Sequence, residues 1–84
     1  GSPAPLRIYP NPGDSDLEVI WPGCALPLQD LRVVDNAGRK VQALWGDSNA
    51  GWRIKRGQLP TGQYHIVAID AAGHTARAKW LIPQ

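Results

Sequence analysis

The chain contains no methionine, no phenylalanine and a single cysteine in 84 residues. A lone thiol, Cys24, excludes an internal disulfide. With only two histidines beside it, it also falls short of the four side chains that close a structural zinc site. Cys24 therefore reads as a small apolar side chain near a core. A chain without methionine is expected to be a piece excised from a longer protein. Gly1-Ser2 reads as a cloning scar, followed by a single domain over residues 3–84.

Long uninterrupted segments are missing too. The longest stretches free of Gly and Pro are 28–37 and 63–72, which leaves little room for a helix of average length. No apolar run approaches the ~18 residues needed to cross a bilayer, and no signal-peptide pattern is visible. Low-complexity composition is also lacking. A 43% hydrophobic and 19% charged chain is globular in character, and its length suffices for a small core.

Charge is scarce in total and uneven in place. The net charge is +2. Residues 1–36 hold two Lys/Arg (Arg7, Arg32) against five Asp/Glu, and residues 37–84 hold seven against two. The second part could offer a basic surface to an anionic partner, or simply solvated strand faces.

Between the Gly and Pro breaks, apolar and polar residues alternate with the period of a strand. The pattern predicts seven short strands. The first opens with Arg7-Ile8-Tyr9, which Pro10 and Pro12 break. In Asp16–Trp21, Leu17, Val19 and Trp21 share a face. Further strands are expected near 28–35, near 39–45 (Val41, Ala43 and Trp45 inward) and over 51–55 (Trp52 and Ile54 inward). The stretch 62–70 is apolar on both faces and is expected to be central. The last strand carries Ala76, Ala78, Trp80 and Ile82 on one face. Short strands at this spacing suggest an all-β fold, an immunoglobulin-like antiparallel sandwich. The disulfide and tryptophan signature of antibody domains is absent.

Two segments echo each other. Val34-Asp35-Asn36-Ala37-Gly38 and Ile69-Asp70-Ala71-Ala72-Gly73 both read apolar-Asp-x-Ala-Gly. Asp35 and Asp70 can accept hydrogen bonds from the backbone ahead, and Gly38 and Gly73 can take the left-handed position that closes a hairpin. The echo reads as two copies of a common turn, not a duplication.

Catalytic patterns are few. There is no phosphate-binding Gly-rich loop and no His-Glu-x-x-His pair, and no nucleophile elbow surrounds Ser15 or Ser48. His65 and His74 read as sheet-surface residues. Asp14, Asp16 and Glu18 lack the Gly and terminal Glu of a calcium loop and read as a solvated strand edge. Arg53, Lys55 and Arg56 beside Trp52 form only a faint nucleic-acid face. The chain therefore reads as neither an enzyme nor a nucleic-acid binder, and no cofactor or metal is expected.

Leu59-Pro60-Thr61-Gly62-Gln63-Tyr64 resembles a cell-wall sortase signal but lacks the spacer between Pro and Thr, and no membrane segment follows. Pro60 and Gly62 instead suit the two corners of a turn. Tyr64 can then start a buried strand with its hydroxyl reaching back, as in a tyrosine corner.

Taken in order, Ile8-Tyr9-Pro10-Asn11-Pro12, Leu31–Val41, Leu59-Pro60-x-Gly62-x-Tyr64 and the closing Lys79-Trp80-Leu81-Ile82 resemble the C-terminal sorting domains of the type IX secretion system, type A. Arg56 stands where that family often has an apolar residue, and Pro83-Gln84 where it often has a further Lys. The resemblance implies a sandwich that folds in the periplasm of a Gram-negative bacterium. It implies recognition by the outer-membrane translocon and its shuttle, with the cargo then anchored at the cell surface or released. A surface signal peptidase, a sortase-like enzyme, would cut upstream of the domain. The implied recognition residues are Leu59, Pro60, Gly62, Tyr64, Arg77, Lys79, Leu81 and Ile82, with the last strand, 75–82, expected to be the most accessible to capture. A different reading is an immunoglobulin-like accessory module that binds carbohydrate through Trp45, Trp52 or Trp80, or packs on a catalytic domain.

Overall fold

A computed structural model describes residues 4–13, 15–49 and 51–83. Its elements are all strands: β1 (Arg7–Tyr9), β2 (Leu17–Ile20), β3 (Asp30–Asp35), β4 (Lys40–Val41), β5 (Trp45–Asp47), β6 (Trp52–Ile54), β7 (Gly62–Ile69) and β8 (Thr75–Ile82). They form two antiparallel sheets, ordered β1-β2-β6-β5 and β4-β3-β7-β8. Consecutive strands that pair within one sheet, joined to others across the sandwich, give the immunoglobulin-like arrangement the sequence implied.

Strand alternation explains the core. Leu17, Val19 and Trp21 point inward from the first sheet with Trp52 and Ile54; Leu31, Val33, Tyr64, Ile66, Ala68, Trp80 and Ile82 meet them from the second. Because side chains on a strand alternate between faces, residues at spacing two share one side. β7 is central as expected, paired to β3 and β8 on its two edges. That accounts for its double-sided apolar pattern, since Val67 is buried even though it faces away from the core.

The expected strand near 39–45 is corrected. It divides into β4, which pairs with β3, and β5, which pairs with β6 in the other sheet. The chain changes sheets over 42–44, so the described residues form eight strands rather than seven. The period-two pattern runs through this crossing and hides it, because Val41, Ala43 and Trp45 alternate correctly while the chain moves between layers. The consequence falls on Trp45. It was expected in the core but lies on a sheet edge and is 40% exposed, whereas Trp80 is fully buried.

Candidate recognition site

The turn entering β7 is built as its residues suggest. Gly62 has φ +147°, a conformation that L side chains rarely adopt. A Cβ placed there would meet nothing within 4 Å, so the requirement for glycine comes from the backbone, not from crowding. Two residues on, the buried Tyr64 donates its hydroxyl to the carbonyl of Pro60 at 2.6 Å. Its ring lies 6.0 Å from that of Trp80, tilted at 48°, within the range of a favourable aromatic pair.

Arg56 completes this corner in a way its sequence position did not announce. Its guanidinium donates to the carbonyls of Leu59 and Gly57, while its backbone amide donates to Asp16 Oδ1 at 2.9 Å. A cation thus staples the loop where an apolar side chain was the family's usual choice. The Arg56 amide is also the chief cause holding the Asp16 carboxyl below its ordinary range.

Register brings two of the singled-out segments together. Gly62 pairs with Ile82, Tyr64 with Trp80, and Val67 with Arg77. The Leu59–Tyr64 motif and the closing strand are therefore neighbours in one sheet. Within the closing strand the implied recognition residues divide: Ile82 is core, whereas Arg77, Lys79 and Leu81 are exposed on the outer face.

The outer edge of β8 is only partly open. Asn11 Nδ2 donates to the Lys79 carbonyl at 2.7 Å, and the Leu81 amide donates to Asn11 Oδ1 at 3.1 Å. The Gly13 amide adds a bond to the Leu81 carbonyl at 3.2 Å. A side-chain amide sets N–H donors beside a carbonyl acceptor, as a peptide group does with its single N–H. Asn11, held between Pro10 and Pro12, thus stands in for a neighbouring strand along Lys79–Leu81.

The two Asp-x-Ala-Gly segments form the same turn. Asp35 Oδ1 accepts from the amides of Ala37 and Arg39, each at 2.9 Å, and Asp70 Oδ1 accepts from those of Ala72 (3.0 Å) and His74 (2.8 Å). Gly38 and Gly73 sit at φ +83° and +86°. Each aspartate meets a basic side chain four residues on: Arg39 Nε at 3.4 Å and His74 Nδ1 at 3.0 Å. The copies differ in burial. Asp70 is fully buried, and its Oδ2 also accepts from the Ala25 amide at 3.0 Å, tying in a separate loop. Burial alone would raise its pKa, but the Ala25 amide, the His74 side chain and the His74 amide prevail and lower it to about 2. The Asp35 carboxyl is lowered chiefly by the Arg39 amide.

Other candidates separate. Glu18 is held by Arg53 through two hydrogen bonds of 3.1 Å, and Asp16 by Lys55 at 3.4 Å; Asp14 lies outside the described residues. Trp52 is buried, on the opposite face from Arg53, so the aromatic and basic groups there do not share a surface. Among the described residues, neither Ser15 nor Ser48 is hydrogen-bonded to a histidine, and no cluster of three or more His, Cys, Asp or Glu could hold a metal ion. Cys24 packs against the core, and burial, followed by the Asp70 charge, raises its thiol pKa. Among the described residues, no helix is long and apolar enough to cross a membrane.

Residues 7–83 match the family model described as the secretion system C-terminal sorting domain. The chain belongs to that family. As a type IX sorting domain it carries a signal for export to the cell surface or the extracellular space and works with the type IX system in general. A sorting domain of this kind is not itself a catalyst. No curated protein and no solved structure matches the chain significantly.

Proposed function

We propose that residues 3–84 act as one address domain that is recognised by the outer-membrane translocon of the type IX system and its shuttle, after the cargo has reached the periplasm. A surface peptidase of the sortase-like kind then acts upstream of the sandwich. The observation that carries this reading is the pairing of Gly62–Tyr64 with Trp80–Ile82 in a chain whose family is a sorting domain. It makes the Leu-Pro-x-Gly-x-Tyr corner and the closing strand a single surface, with Arg77, Lys79 and Leu81 as its exposed members.

The test is a fusion of residues 3–84 to a periplasmic fluorescent protein in a host that has this secretion system. Deleting 79–84 is a poor variant, because it removes Trp80 and Ile82 from the core and export would then be lost through unfolding. Leu81→Asp changes a side chain that is 43% exposed and leaves the core intact. Surface delivery of the wild-type fusion and periplasmic retention of folded Leu81→Asp are expected. A wild-type fusion that stays in the periplasm refutes the address function.

An accessory module that binds sugar is a second reading. It rests on Trp45, whose edge position leaves its ring available for stacking. Trp52 and Trp80 are in the core and unavailable. Quenching of fluorescence by oligosaccharide, lost in Trp45→Ala, would favour it.

A further inference from the structure

Three of the seven cations in residues 37–84, Lys40, Arg77 and Lys79, lie on one sheet of the fold. On the outer side of the second sheet, strand register lays residues out in rows. Lys40 pairs with Val34, Val34 with His65, and His65 with Lys79. In the adjacent row, Arg32 pairs with Val67 and Val67 with Arg77. Neighbouring strands lie about 4.8 Å apart, so Lys40 and Lys79 frame a strip roughly 14 Å wide. Arg77 stands two residues from Lys79 on the same strand.

The ion pairs single out three of these cations. Arg32 is bound by Asp30. Among the described residues, none of Lys40, Arg77 and Lys79 lies within salt-bridge distance of a carboxylate. Lys40 is near enough to Asp30 to help lower its carboxyl, behind the larger effect of Arg32. At the centre, Val67 faces outward yet is buried, with Val34 half-buried beside it. The register flanks Val67 with Arg32 and Arg77, whose long aliphatic stems can shield it. The face therefore has a recessed aliphatic centre and exposed cations that pair with no carboxylate among the described residues.

We propose that this face docks an acidic protein surface of the export machinery, with Lys40, Arg77 and Lys79 framing Val34 and Val67; the identity of the partner rests on the export reading above. Charge complementarity sets the class. A second copy fits poorly: two such faces would oppose cation to cation, and on the opposite side of the sandwich Glu18 is taken by Arg53 and Asp16, just before β2, by Lys55, which leaves Asp47 as the one carboxylate of the described first sheet to face three cations. A lipid surface fits less well. Peripheral membrane faces project several apolar side chains past their cations, whereas of the exposed large apolar residues Leu81 alone lies on this sheet face and Tyr9, Leu26, Leu44 and Trp45 lie outside it. Such a cationic face would speed encounter with its partner more than it would strengthen the final complex.

The test compares reporter fusions of residues 3–84. Lys40→Glu/Arg77→Glu/Lys79→Glu should melt within a few degrees of wild type and reduce the initial export rate roughly tenfold or more. Lys40→Arg/Arg77→Lys/Lys79→Arg should export normally, as should Arg7→Glu/Lys55→Glu, which alters charge away from this face. If the triple reversal unfolds, single Lys40→Glu and Arg77→Glu decide, each expected to slow export. Wild-type export together with equally rapid export of the folded reversals overturns the proposal and leaves the address function standing. Failure of the wild-type fusion overturns both. Cosedimentation with vesicles of phosphatidylglycerol and phosphatidylethanolamine at about 0.15 M salt, if abolished by the triple reversal, assigns the face to lipid and overturns the protein partner.

Discussion

Tyr64 donates its hydroxyl to the carbonyl of Pro60 at 2.6 Å, four residues upstream. The bond joins the start of a buried central strand to the loop that delivers it. Because the ring also packs on Trp80, removing the hydroxyl isolates the corner's contribution from that of core packing.

Tyr64→Phe should cost about 1 kcal/mol, the net worth of a typical hydrogen bond. In a domain of this size that corresponds to a fall in melting temperature of about 4–8 °C. Urea denaturation should show a lower midpoint with an unchanged slope. An unaltered midpoint would mean that the corner bond contributes nothing to stability.

Gly62 tests the same corner from the backbone side. Its φ of +147° is costly for any other residue, yet there is open space around a Cβ. Gly62→Ala and Gly62→Val should therefore destabilise by similar amounts, of order 1–3 kcal/mol. Loss that grows steeply from Ala to Val would point to crowding instead. A loss at the upper end is a large share of the stability of a small domain, and sorting should fail with it.

The twin aspartate turns predict an acid response. The folded pKa of Asp70 lies at about 2, below its ordinary 3.8. A depressed carboxyl contributes stability that is fully present above the unfolded value and is lost as pH falls through the folded one. Stability should therefore decline between about pH 4 and pH 2, with Asp16, Asp30 and Asp35 shifted in the same direction. Asp70→Asn should flatten that decline, and at neutral pH it should destabilise more than Asp35→Asn. Asp70 is buried and also holds the Ala25 amide, whereas the Asp35 turn is exposed. Urea midpoints at pH 7 and pH 3 check both points.

Trp45 and Trp80 should behave differently although the sequence placed both inward. Trp80→Ala should cost about 3–5 kcal/mol, the usual loss for a fully buried large aromatic. Trp45→Ala should cost far less, since its ring is 40% exposed at the edge of β5. Equal losses in thermal melts would contradict the sheet change between β4 and β5.

Much of this molecule is written in local pattern. Alternation found the inward faces of β2, β6 and β8, because a strand's period of two needs no knowledge of partners. Asp35, Asp70, Gly38 and Gly73 announced their turns through residue type. What stayed hidden depends on distant pairing. The change of sheet before Trp45 preserves the alternation and so leaves no trace in it. The ties from Asp70 to Ala25, from the Arg56 amide to Asp16 and from Asn11 to β8 join residues whose partners no short window can supply. The cationic face is of the same kind: Lys40 and Lys79 are far apart in sequence and come to frame one sheet face only through the order β4-β3-β7-β8.

Asn11→Ala addresses the closing strand directly. Asn11 occupies both the Lys79 carbonyl and the Leu81 amide, and alanine offers neither group. The substitution should cost roughly 1–2 kcal/mol for two exposed hydrogen bonds and should speed hydrogen exchange at the Leu81 amide. An edge with unpaired backbone groups invites another strand. If the translocon captures β8 by strand addition, a folded Asn11→Ala fusion should therefore export at least as fast as wild type and should self-associate more readily at high concentration. Slower export by that folded variant would show instead that recognition needs Asn11 in place on β8, so that the Tyr-Pro-Asn-Pro entry and the closing strand are read together.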